Sequence, residues 1–216
     1  MQAIVFDMDG LMFNSEDIYT LVGSELARRR GRVFTNELKK EMMGLPAQPS
    51  FMRMIEHFGL GETWQELVVE SNKYFLEIVR QHIQPMPGLF ELLERLEKAE
   101  IPKAIATSST SELMDACLDP FNLRPRFQFC LTAEDVKQGK PNPEIYLTAA
   151  SRFGFAPKEI VVLEDSQNGC KAAAAAGTFA VAVPGEHSLN HDFSMASLVI
   201  SSLADPKLFE VLGIAT

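Results

Sequence analysis

Residues 160–169 read Ile-Val-Val-Leu-Glu-Asp-Ser-Gln-Asn-Gly. The first four are apolar with no alternation. A strand with one face in water alternates, whereas a parallel strand covered on both faces does not. The run is therefore read as a central parallel strand, and Glu164 and Asp165 stand directly at its carboxyl end. Isolated carboxylates are costly to bury, so this end is either solvated or a site.

Working outward, further short β-rich runs occur at Ala3–Phe6, Ala104–Ala106, Phe127–Leu131, Phe179–Val183 and Leu198–Ile200. Helical patterns fill the gaps at Leu89–Ala99, Glu112–Leu118, Pro143–Phe153 and Asn168–Ala176. Strands alternating with helices predict an α/β fold, with a Rossmann-like open parallel sheet and helices on both faces. The segment from Ser15 to about Gln81 has a different texture. Ile18, Leu21, Val22 and Leu26 have helical spacing. Thr63-Trp64-Gln65-Glu66 reads as a capping box that opens a long helix. Residues 15–84 are thus expected to form a small inserted α-helical cap domain, with 1–14 and 85–216 forming the core. The Pro-Met-Pro-Gly stretch at 85–88 suits the return crossing.

The chain has 216 residues, 46% of them hydrophobic, and a net charge of -9. That allows a sizeable core and argues against a nucleic-acid partner, whose binding surfaces are basic. No apolar run approaches the ~20 residues of a membrane span, and no signal peptide is evident before Asp7. Cys117, Cys130 and Cys170 are odd in number and sit in apolar elements. They read as reduced thiols. The expectation is a cytoplasmic protein, monomeric by default.

In open parallel sheets the ligand site lies beyond the carboxyl ends of the strands. Asp7-Met8-Asp9-Gly10 follows the first strand, and Thr107-Ser108-Ser109 follows Ala104–Ala106. Glu164-Asp165 follows the central strand, and Lys140 precedes the helix beginning at Pro143. Taken singly these are weak signals: Asp-x-Asp-Gly also occurs in turns and calcium loops. Together they suit phosphoryl transfer. A carboxylate pair can hold Mg²⁺. Asp7 could attack phosphorus. Asp9, placed on the same side if the strand direction persists, could exchange the proton. Thr107 and the amides after it could hold phosphate oxygens, and Lys140 could balance charge. Ser109 with Glu112 reads as a capping box for the following helix.

The set DMDG at 7–10, ATSS at 106–109, GKPNPEIY at 139–146 and VVLEDSQNG at 161–169 resembles the haloacid dehalogenase superfamily. The likeness covers essentially the whole chain. It implies a hydrolase of a small phosphorylated metabolite, with Asp7 as nucleophile, Asp9 as acid/base, Thr107 binding phosphate and Lys140 orienting both. It implies Mg²⁺ held by Asp7, the Asp9 carbonyl, Glu164 and Asp165. Substrate contacts are expected from Met8, Gly10, Ser108 and Ser109, and from Tyr19, Gly44 and Leu45 in the cap. Residues 10–16 and 183–203 are similar to pseudouridine-5'-phosphatase-like members. Three departures bear on function. Asn14 replaces the Asp common in relatives. Tyr19 and Ala47 stand where β-phosphoglucomutase-like members carry a histidine and a phosphate-gripping arginine. The last two favour a phosphatase over a sugar-phosphate mutase, and the complete set Asp7, Asp9, Thr107, Lys140 and Asp165 speaks against a non-catalytic phosphate- or metal-binding module. His187 and His191, spaced i, i+4, are expected in a surface loop near the site.

Overall fold

A computed structural model describes residues 1–214. Ala215 and Thr216, part of the expected 85–216 core, lie outside the described residues. The chain forms two compact units, Met1–Asn14 with Gln84 onward, and Ser15–Ile83.

In chain order the elements are β1 (Ala3–Phe6), α1 (Ser15–Arg29), α2 (Asn36–Met42), α3 (Ala47–Phe58), α4 (Trp64–His82), α5 (Leu89–Lys98), β2 (Lys103–Ala106), α6 (Ser111–Leu118), β3 (Phe129–Leu131), α7 (Glu144–Phe153), β4 (Ile160–Glu164), α8 (Gln167–Ala175), β5 (Phe179–Ala182), β6 (Leu198–Val199) and α9 (Pro206–Leu212). The strands make one sheet in the order β3-β2-β1-β4-β5-β6, and every neighbouring pair is parallel. The expected α/β architecture is what the chain adopts.

Every residue of β1, β2 and β4 is buried, which is why their sequences lack alternation. Ala3, Val5, Ile160 and Val162 face one core cluster with Ile145, Tyr146 and Ala149 of α7 and Ala172 and Ala173 of α8. α8 carries alanine from Ala172 to Ala175, and such small side chains let a helix lie close to the sheet. The alternate residues Ile4, Phe6, Val161 and Leu163 are equally buried from the other face, where Phe6 meets Phe127 edge-on at 5.7 Å.

The chain runs outward from β1 through β2 to β3, then crosses back so that β4 pairs with β1. This reversal is the topological switch point, and a crevice opens there at the carboxyl ends. Register aligns Phe6 with both Ile105 and Leu163, so the residues that follow these strands emerge at one level.

The second unit, described by itself, is helical. The end of α1 is tied by ions to α4 and the turn before it: Arg30, just past α1, meets Glu62 at 2.7 Å and Glu70 at 2.6 Å, and Arg29 meets Glu70 at 3.0 Å. Thr63 opens α4 with the expected capping box. Phe75 is buried, with the Tyr19 ring 4.8 Å away. Leu21, read as part of the apolar stripe of α1, is exposed.

Candidate active site

β1 ends at Phe6, and Asp7 follows at the switch point, buried. Its Oδ1 accepts from Lys140 Nζ at 2.5 Å. Lys140 comes from the loop before α7 and also donates to Glu164 Oε1 at 2.6 Å and to the Ala106 carbonyl at 3.0 Å. One ammonium thus joins the ends of β1, β2 and β4. Burial works against its charge, but Asp7 and Glu164 outweigh that and hold Lys140 well above the ordinary lysine value. Burial pushes the Asp7 carboxyl well above its usual range; Lys140 pulls the other way, while Glu164 and Asp9 push it further up.

Glu164 is fully buried. Its Oε1 accepts from Lys140 and from the Tyr146 hydroxyl, and its Oε2 accepts from Ser166 Oγ at 3.0 Å. Ser166 in turn caps α8 through Gly169 N. Tyr146 is a site residue that the sequence reading did not single out. It lies six residues after Lys140 in α7, but its residue type alone does not mark it.

Asp7, Glu164 and Asp165 offer carboxylate oxygens within 4.8 Å of one another, all buried. These are hard oxygen donors of the kind Mg²⁺ takes. The crowding that raises Asp7 is the crowding a cation relieves, so the donor set fits a divalent cation. The Asp9 side chain is not one of the three.

Asp9 departs from the simple strand geometry. The strand stops at Phe6, and Gly10 takes φ 76° to start a tight loop. Met12 N and Phe13 N both bond back to the Met8 carbonyl, and Gly10 N bonds to the Phe13 carbonyl. A residue other than glycine would be strained at that φ. The strand on which the alternation rests thus ends before Asp9, and Asp9 still lies near enough to push the Asp7 carboxyl up. Its Oδ2 accepts from Thr107 Oγ1 at 3.1 Å and from Ser109 Oγ at 2.8 Å. Its Oδ1 is shielded from solvent and has no hydrogen-bond partner among the described residues.

Other expected residues are placed as follows. Met8 is wholly buried; its side chain fills the core and presents no surface to a ligand. Thr107 is also buried, and its hydroxyl proton goes to Asp9. Ser108 is exposed. Ser109 does not cap α6: the cap lies one residue later than expected, where Thr110 Oγ1 accepts from Leu113 N. Tyr19, Gly44 and Leu45 lie in the helical unit; Gly44 has φ 71°, and Leu45 is exposed. His187 and His191 fall in a short turn region after β5, and His191 Nδ1 accepts from Gln167 N at 3.4 Å.

The model of the haloacid dehalogenase-like hydrolase family matches residues 4–183. The chain belongs to that family. This haloacid dehalogenase-like hydrolase is 36% identical over 211 residues to the probable pseudouridine-5'-phosphatase of Drosophila melanogaster, covering 94% of this chain and 90% of that protein. It is 31% identical over 218 residues to the phosphorylated carbohydrates phosphatase of Thermotoga maritima, covering 99% and 98%. The crystal structure of CbbY from Rhodobacter sphaeroides in complex with phosphate shares the fold, with a TM-score of 0.85 at 24% identity over 95% and 96% of the two chains. Both of these sequence relatives are phosphatases by name, and this family member is an enzyme of that class, a phosphoric monoester hydrolase.

Proposed function

We propose that this hydrolase is a Mg²⁺-dependent phosphatase of small phosphorylated metabolites that works through an aspartyl phosphate on Asp7. The observation that carries the reading is the buried Asp7 at the sheet's switch point, with its carboxylate held by Lys140. An Asp oxygen attacks phosphorus while the bond to the leaving oxygen breaks. Asp9 gives the leaving oxygen its proton and later takes one from the water that hydrolyses the aspartyl phosphate. Lys140 fixes the Asp7 carboxylate and offsets charge beside it. Ser108, which follows β2, lies where its amide could take a phosphate oxygen. Mg²⁺, held by Asp7, Asp165 and the acidic group around them, would supply charge neutralisation to the phosphoryl oxygens.

The names of the relatives direct the substrate search. Pseudouridine 5'-phosphate and sugar or polyol phosphates are the first candidates. In the test, Asp7→Asn is expected to lose at least about a thousandfold in kcat on an aryl phosphate. EDTA is expected to abolish turnover of the parent, and Mg²⁺ to restore it. Full activity of Asp7→Asn would overturn the nucleophile assignment. Isomerised product without free phosphate would overturn hydrolysis.

A further inference from the structure

Of residues 133–144 only Lys140 is buried. Val136 leans on the core cluster, but from 137 to 144 no apolar side chain is buried to hold the loop down. A long, flexible lysine side chain loses entropy when it is ordered, so its backbone has to be held by other means. Hydrogen bonds do this. Glu144 Oε1 accepts from Lys137 N and Glu144 Oε2 accepts from Gln138 N, both at 3.0 Å. Asn142 Oδ1 accepts from Glu144 N at 3.0 Å, and Asn142 Nδ2 donates to Gln138 Oε1 at 2.8 Å. Asn142 N donates to the Gly139 carbonyl at 3.0 Å. The loop is thus closed on both sides of Lys140. A carboxylate in the first turn of a helix ordinarily serves the positive end of that helix. Glu144 opens α7, yet its two oxygens reach back seven and six residues to the loop. Those two amides hold its carboxyl below the ordinary glutamate value.

We propose that Glu144 is a positioning residue for Lys140: by clamping the amides of Lys137 and Gln138 it fixes the loop from which the Lys140 ammonium reaches Asp7. The inference rests on the role given to Lys140 in the phosphatase reading above. An ammonium has three protons, and those of Lys140 go to Asp7, Glu164 and the Ala106 carbonyl. Nζ therefore has one position, set by the ends of three strands, and the loop has to deliver the side chain to it. Without the clamp the loop shifts, and displacement on the ångström scale beside a nucleophile costs one to two orders of magnitude in rate. Glu144 bonds to the loop and not to Asp7, so it acts through Lys140.

A double-mutant cycle in kcat on 4-nitrophenyl phosphate tests this. Glu144→Ala is expected to lose about tenfold. Glu144→Gln keeps one acceptor oxygen and should fall between Glu144→Ala and the parent. Added to Lys140→Met, Glu144→Ala should cost no more than about twofold further, because the group it positions is gone. A double-variant loss equal to the product of the two single losses would overturn the proposal and leave Glu144 a structural residue. Proton–nitrogen correlation spectra of the lysine ammonium groups give a readout apart from activity. The Lys140 signal, assigned by its absence in Lys140→Arg, should exchange slowly with water in the parent and be lost to exchange in Glu144→Ala. Amide exchange at Lys137 and Gln138 should rise at least about tenfold in the same variant. An unchanged Lys140 signal with those amides freed would overturn the proposal, even where Lys140→Met does not fold. The two layers separate through Lys140→Met. If it keeps the parent kcat, the role of Lys140 in the phosphatase reading fails. If it loses at least about a hundredfold and Glu144→Ala loses nothing, only the positioning role fails.

Discussion

A Cβ built on Gly169 would lie 1.8 Å from Cδ of Glu164 and 1.9 Å from each of its carboxylate oxygens. Gly169 is in the first turn of α8, and its N–H takes the Ser166 cap. The missing side chain is therefore the space that the Glu164 carboxylate fills. Because that carboxylate is anchored by Lys140, Tyr146 and Ser166, it cannot swing aside cheaply. Gly169→Ala is expected to cost about 1–3 kcal/mol of stability, and to lower phosphatase activity more than a stability loss explains, because it displaces Glu164 from Lys140. Chemical unfolding and the activity of the folded fraction together check this. In sequence, Glu164 was legible from its place after the run Ile160–Leu163. Gly169 and Tyr146 were not, because their importance is a matter of distance to one carboxylate and not of residue type. Ser109 was misjudged by one residue for the same reason: both Ser109 and Thr110 are good N-caps, and only the turn geometry decides which one caps.

Between elements, Glu97 joins three segments. It makes a two-bond pair with Arg126 at 2.8 Å each and meets Lys103 of β2 at 3.1 Å. The Arg126 guanidinium, against some burial and with help from Lys103, holds the Glu97 carboxyl down to about 2 from an ordinary 4.5. A depressed carboxyl contributes stability at pH values above its unfolded value, and loses it as pH falls toward the folded value. Glu97→Gln should therefore melt below the parent at neutral pH, and the gap should close between about pH 4.5 and 2. The pair is partly exposed, so the gap at neutral pH should be about 1 kcal/mol or less. A gap constant down to pH 2 would count against the pairing. The strands themselves were visible as unbroken apolar runs, since burial on both faces leaves that mark in sequence. Their ends were less so: the run read as Phe127–Leu131 pairs only from Phe129, because Arg124–Arg126 forms a helical turn and Phe127 turns to Phe6.

At the scale of the whole molecule the chain leaves the sheet unit at Asn14 and re-enters it at Gln84. The crossings are paired: Asn14 N donates to the Gln84 carbonyl at 3.1 Å, Gln84 N donates to Asn14 Oδ1 at 2.7 Å, and Met86 N donates to the Met12 carbonyl at 2.8 Å. The Asn14 atom that takes the bond from Gln84 N is an acceptor oxygen, which an aspartate would also carry. Asn14→Asp should keep the parent melting temperature within about 1 °C, whereas Asn14→Ala should lower it by about 2 °C through loss of one hydrogen bond; differential scanning calorimetry distinguishes the two. The sequence by itself determined the parallel α/β sheet, the helical insert and the gathering of Asp7, Thr107, Lys140 and Glu164 at one edge. Local burial pattern and the rule that ligands sit at carboxyl strand ends are both written residue by residue. Only the tertiary structure decided which oxygen of Asp9 is held, that Met8 is core, and that Gly169 and Tyr146 shape Glu164. Those outcomes depend on contacts between loops up to a hundred residues apart, where a shift of one residue in a turn redirects a side chain without altering any pattern in the sequence.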